Sequence, residues 1–317
     1  MDATAIDSIR LNFKPESFFV LNIVLGLLMF GVALGIRRGD FSRVLRTPKA
    51  PAAGLLAQLL LLPAVSYLLT MIVRPAPSMA LGMLLVAACP GGNFSNVITH
   101  LARGNAAISV TMTAFSTALA ALTTPANLAL WGSLNPHTAP ILRAVRLDPT
   151  KLFINVATIL GAPMLIGIVV QRRLPKLAAR LERPFRWFSL LCLASFIGLA
   201  LAANWKTFVA FFSQIFFVVV IHNAVALGLG YLTGRIFRLS SPDLRAVTIE
   251  VGIQNSGLGL VLIFAFFDGL GGMAVVAGMW GVWHLISGLG LASIWPRIAG
   301  EKKNGTASSG PLEAQRS

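Results

Sequence analysis

Of the 11 acidic residues in this 317-residue chain, Glu250 is the one that falls clearly inside a long apolar run. Carrying a carboxylate into hydrocarbon costs about 2.5–3.5 kcal/mol on insertion scales, so such a group calls for a partner, and the natural partner is a cation. Other oxygen-bearing side chains interrupt apolar runs elsewhere: Gln58, Ser95, Asn96, and the pair Ser109 and Thr113. Four residues apart, Ser109 and Thr113 share one face of a helix. Hydroxyls, amide oxygens and one carboxylate, with no thiolate or histidine among them, are hard donors that suit an alkali cation better than zinc or copper. Each also has a plain structural use. Ser and Thr in a membrane helix usually bond to their own backbone or to a neighbouring helix. Glu250, about 12 Å along a helix that starts near Pro242, is within snorkelling reach of an interface. Whether they act as a group depends on the elements that carry them.

Those elements are membrane helices. The chain is 56% hydrophobic and only 12% charged, with a mean hydropathy of +0.78, whereas soluble domains carry about 25% charged residues. A span needs about 20 apolar residues, and nine runs qualify, over residues 18–36, 52–73, 79–101, 106–131, 152–170, 185–203, 208–231, 247–267 and 271–295. The fold class expected is therefore an all-α polytopic membrane protein. A net charge of +15 would point to nucleic acid in a soluble chain, but here the basic residues sit between the apolar runs and report topology instead. Cys89 and Cys192 both lie in apolar runs, which indicates neither a disulfide framework nor a thiolate metal site.

Alternate loops hold 19 and 7 Lys and Arg residues. Because positive loops stay on the cytoplasmic side, the amino terminus is expected outside and the carboxyl terminus inside. Residues 1–17 lack an apolar stretch and read as an extracytoplasmic segment, not a cleavable signal. Residues 297–317 read as a disordered cytoplasmic tail. With this topology Gln58, Ser95, Asn96, Ser109, Thr113 and Glu250 all fall near the inner ends of their helices. They converge on one level.

Two spans are interrupted. Cys89-Pro-Gly-Gly-Asn-Phe-Ser-Asn96 breaks the third, where Pro90 cannot donate a helix hydrogen bond, and Glu250-Val-Gly-Ile-Gln-Asn-Ser-Gly257 breaks the eighth. Spans three and eight cross the membrane in opposite directions, as inverted-topology repeats of four and five helices require.

These residues, together with Leu101-Ala-Arg-Gly-Asn105, Ser109-Val-Thr-Met-Thr113 and Val282-Trp-His-Leu-Ile-Ser-Gly288, closely resemble the bile acid:sodium symporter family. The resemblance implies a transporter, not an enzyme, in a bacterial inner membrane. It implies a panel domain (about 18–36 and 152–203) and a core domain (parts of 52–131 and 207–296), with the broken helices crossing in the core. It also implies sodium-driven import, by alternating access, of an organic anion such as a bile acid, pantothenate or a keto acid. On matching positions one sodium ion would be held by Ser95, Asn96, Ser109, Thr113 and Glu250. A second would be held by Gln58, Glu250, Gln254 and the carbonyls of Val251 and Ile253. Asn93, Asn255 and His284 are candidates to meet the anion. Asn93 and Phe94 stand where many relatives have small residues, and Leu285 where they often have Asn, which changes the shape of the expected substrate pocket. A proton-coupled organic-anion carrier that titrates Glu250 is the alternative; it predicts uptake that follows pH and ignores sodium.

Overall fold

The computed structural model describes residues 5–10, 15–35, 48–92, 94–145, 149–203 and 205–298. Among the described residues, apart from the short helices Ala5–Ser8 and Ala139–Val145, nine helical segments follow one another: α1 (Pro15–Gly35), α2 (Lys49–Val73), α3 in two halves (Pro77–Ala88 and Phe94–Leu101), α4 (Ala106–Leu134), and α5, which opens with Pro149–Val156 and closes with Ala162–Arg173. They continue with α6 (Pro175–Ala203), α7 (Trp205–Ile236), α8 in two halves (Ser241–Gly252 and Ser256–Phe266) and α9 (Gly271–Ile298). The protein is an all-α polytopic membrane protein. Among the described residues, stretches of α2, α4, α5, α7 and α9 are long and apolar enough to cross a bilayer unbroken, whereas the apolar halves of α3 and α8 are too short alone.

Several helices begin earlier than the apolar runs that mark them. Helix α6 starts at Pro175 and not near 185, and α8 starts at Ser241, ahead of its apolar run and next to the Pro242 start expected from the sequence. Hydropathy marks the hydrocarbon-length part of a helix, while the helix itself runs on through charged residues such as Arg180 and Asp243. Ser240 fixes the start of α8 by accepting from the Asp243 backbone N–H at 3.4 Å, and Asn105 does the same for α4 through Ile108. Before α1, Asp7 accepts from the Ser78 backbone N–H at 2.7 Å and so caps the first half of α3. Ile9 accepts from Gly271 N at 2.8 Å, at the start of α9.

Helix α1 packs mainly on α6 and on the second part of α5, while α2, α3, α4, α7, α8 and α9 pack on one another. At the centre of this second group the two breaks meet. Gly92 N donates to Ile253 O at 2.8 Å and Asn255 N donates to Pro90 O at 2.8 Å, an antiparallel bridge centred on Gly91 and Gln254. Each unwound segment thus supplies the donors that the other needs, which is what lets non-helical backbone persist at this depth.

Helix α2 contains a further irregularity that proline explains. Pro63 has no N–H to offer the Leu59 carbonyl four residues back, and the helix widens into a π turn over Ala57–Leu61. Asn127 of α4 fills the gap, donating to Leu59 O at 3.0 Å. Helix α5 repeats the pattern, with a π turn over Ala157–Gly161 and Pro163 just beyond it. The expected consequence is testable in detergent by thermal melting. Asn127→Leu strands a buried carbonyl and costs about 1–3 kcal/mol, and Pro63→Ala in the same chain recovers part of that loss by restoring the backbone donor. Loss without recovery would contradict the account.

Candidate functional site

Glu250 sits two residues before the end of the first half of α8 and is wholly buried. Its two carboxylate oxygens accept from two hydroxyls one helical turn apart on α4: Ser109 Oγ at 2.6 Å and Thr113 Oγ1 at 2.5 Å. Ser95, from the second half of α3, lies 3.5 Å from both hydroxyls, and Asn96 Oδ1 lies 3.4 Å from Thr113 Oγ1. Gln58, from the π turn of α2, donates its amide N–H to the backbone carbonyl of Glu250 at 3.2 Å. The structure therefore brings Gln58, Ser95, Asn96, Ser109, Thr113 and Glu250 together from four helices. Among the described residues, no Lys or Arg pairs with Glu250.

Three further groups come from the unwound part of α8. The Gln254 amide N–H donates to Val251 O at 2.8 Å, and Ile253 O accepts from Gly92. Both carbonyls keep a second lone pair. Because only the nitrogen of an amide can donate to a carbonyl, these bonds also fix the side-chain oxygens of Gln58 and Gln254. Both oxygens are buried and have no hydrogen-bond partner among the described residues. Stranding such an acceptor costs about 1–3 kcal/mol. Two orphaned amide oxygens on residues bonded to the backbone of Glu250 and Val251, together with a buried carboxylate that pairs with no Lys or Arg among the described residues, fit a bound cation, and an all-oxygen donor set fits sodium.

The residues expected to meet a substrate are more scattered. Asn93 lies outside the described residues. Phe94 is half-buried and packs with Leu285 against a small apolar cluster that includes Ile98, Ile249 and Ile253. Asn255 uses its side-chain oxygen to cap the second half of α8, accepting from Leu258 N at 3.0 Å. His284 of α9 is buried, and its Nδ1 has no hydrogen-bond partner among the described residues.

Sequence reasoning missed the residues that service the broken backbone. Ser116 accepts from Gly91 N at 3.2 Å, Thr124 donates to Ala88 O at 2.8 Å, and Asn223 donates to Gly252 O at 2.8 Å. The available signal was that every carbonyl freed by a break in hydrocarbon needs a donor, so polar residues on adjoining spans are candidates.

Residues 22–211 match the Sodium Bile acid symporter family. The chain belongs to this family. It is 33% identical over 304 residues to the uncharacterized sodium-dependent transporter YocS of Bacillus subtilis (strain 168), which covers 94% of this chain and 91% of that protein. It is 31% identical over 287 residues to the probable sodium/metabolite cotransporter BASS1, chloroplastic, of Oryza sativa subsp. japonica, covering 89% of this chain and 68% of the relative. Against the Arabidopsis thaliana protein of the same name it is 30% identical over 276 residues, covering 87% and 66%. Membership of the symporter family makes this an integral membrane protein of a sodium-dependent transporter family with a small-molecule substrate, and not an enzyme.

The packing around Glu250 yields a direct test. A Cβ placed on Gly91 would run into Glu250 Oε1 and come within 3.0 Å of Gln58 Nε2. Gly91→Ala is expected to lower stability by about 1–3 kcal/mol, the usual cost of overpacking. Gly278→Ala, where a Cβ meets nothing within 4 Å, should not lower it. Equal melting temperatures for the two variants would contradict the site geometry.

Proposed function

We propose that this member of the symporter family imports a small organic anion together with sodium by alternating access. The observation that carries the reading is the wholly buried Glu250, paired with no Lys or Arg among the described residues, together with the orphaned buried oxygens of Gln58 and Gln254. One sodium ion is held by Ser95, Asn96, Ser109, Thr113 and Glu250. The second is held by Gln58, Glu250, Gln254 and the carbonyls of Val251 and Ile253. With a monovalent anion, two sodium ions carry one net positive charge inward per cycle, worth about 2.3 kcal/mol per 100 mV.

The chain's own groups shape the rest. The second halves of α3 and α8 both begin at the crossing. Their amino-terminal dipole ends offer partial positive charge to an anion that meets no Lys or Arg there. Asn93, Asn255 and His284 supply hydrogen-bond donors, and Phe94 and Leu285 give the pocket an apolar wall that favours an anion with a hydrocarbon body. Helices α1, α5 and α6 form the panel, and the remaining helices form a core that moves against it. The membrane is the bacterial inner membrane, with the amino terminus outside.

Glu250 serves the proton-coupled alternative equally well as a titrating group, but a proton leaves the two amide oxygens without a partner. Reconstitution into proteoliposomes separates the readings, with a bile acid, pantothenate and a keto acid as probe substrates. An inward sodium gradient is expected to drive accumulation of at least one of them, potassium or choline gradients are not, and Glu250→Gln should reduce uptake to background. Uptake that follows an imposed pH gradient in choline would move the assignment to proton coupling.

A further inference from the structure

Unwinding α8 after Gly252 leaves carbonyls without their helical donors. Ser256 N, which would have served Gly252 O in a continuous helix, turns instead to Gln254 O at 3.0 Å. The replacement comes from α7, where the buried Asn223 donates Nδ2 to Gly252 O at 2.8 Å. The other end of the same amide accepts from Ser287 Oγ of α9 at 2.6 Å, and that hydroxyl also lies 3.2 Å from the His284 carbonyl. One carboxamide therefore joins α7, α9 and the end of the first half of α8, and its orientation is fixed at both ends.

The next residue of α9 reinforces the junction. A Cβ on Gly288 would come within 2.9 Å of Ile98 Cδ1 on α3 and 3.1 Å of Ile253 Cδ1. Helix α9 thus lies directly against both broken helices, at Ile98 and at Ile253, whose carbonyl is one of those assigned above to the second ion.

We infer that Asn223 is a positioning residue for the cation site: it holds the Gly252 carbonyl, and so the carbonyls and amide that follow it, and through Ser287 it ties them to α9. The inference rests on the sodium reading above. Asn223 touches no ion itself. Its effect is on the spacing of the oxygens that do, and the link to α9 makes that spacing depend on the helix that carries His284.

Melting temperature of the purified protein against sodium concentration, with choline keeping ionic strength constant, reads the effect, because a ligand that binds only the native state stabilises it according to its concentration over its dissociation constant. Asn223→Leu removes both bonds at similar volume, and Ser287→Ala removes one from a half-buried position. Each is expected to raise the sodium concentration for half-maximal stabilisation by about three- to tenfold, the range that losing one buried hydrogen bond implies. Ser287→Thr, which keeps the hydroxyl, should restore the wild-type value. Ser287→Ala carries the test should Asn223→Leu fail to assemble. Variants that melt lower in sodium and choline alike, with unchanged half-saturating sodium, would overturn the inference and leave the sodium reading intact. A wild type that ignores sodium would overturn both.

Discussion

A carboxylate is buried where, among the described residues, no protein cation pairs with it, and most of the architecture can be understood as the answer to that constraint. Glu250 costs several kcal/mol to hold ionised away from water unless something positive stands beside it. Hydroxyls from Ser109 and Thr113 occupy one side of each oxygen, which lessens the cost without supplying charge. Bringing donors from α2, α3 and α4 this close requires that α3 have no side chain at Gly91, and it requires backbone carbonyls that are free to turn inward. The second condition is met only where helices are broken.

Broken helices create their own debt of unpaired backbone, and the fold distributes the repayment. The two unwound segments pair with each other through Gly92 and Asn255. The carbonyls they cannot serve are taken by single polar side chains on neighbouring spans, Thr124 for Ala88 and Asn223 for Gly252, as Asn127 does for Leu59 in the π turn of α2. The polar cluster around Glu250 and the crossing are therefore built from the same segments of α3 and α8. Binding of sodium there would stabilise the same contacts that hold α3 against α8, which is how an ion can favour one conformation of a carrier over another.

Much of this was legible in the sequence because polar residues are scarce in it. Glu250 stood out as the one acid in an apolar run, the Ser109–Thr113 spacing announced a shared helix face, and Pro90-Gly91-Gly92 marked a break. Pro242 marks the start of α8, whereas its apolar run begins later because Asp243 and Arg245 depress hydropathy, although Arg245 is buried and donates to Ala102 O at 3.0 Å, closing the end of α3. The π turn in α2 left no trace beyond Pro63. Asn223 was invisible for a different reason: its value lies in a carbonyl 29 residues away that only the three-dimensional crossing exposes.

The central claim is that Glu250 is buried in order to hold sodium. Equilibrium binding of radioactive sodium to the purified protein measures that directly, without any knowledge of the transported anion. The account predicts saturable binding of two ions per chain that is lost in Glu250→Gln. Absence of saturable binding in the wild type, or binding that survives Glu250→Gln unchanged, would contradict it.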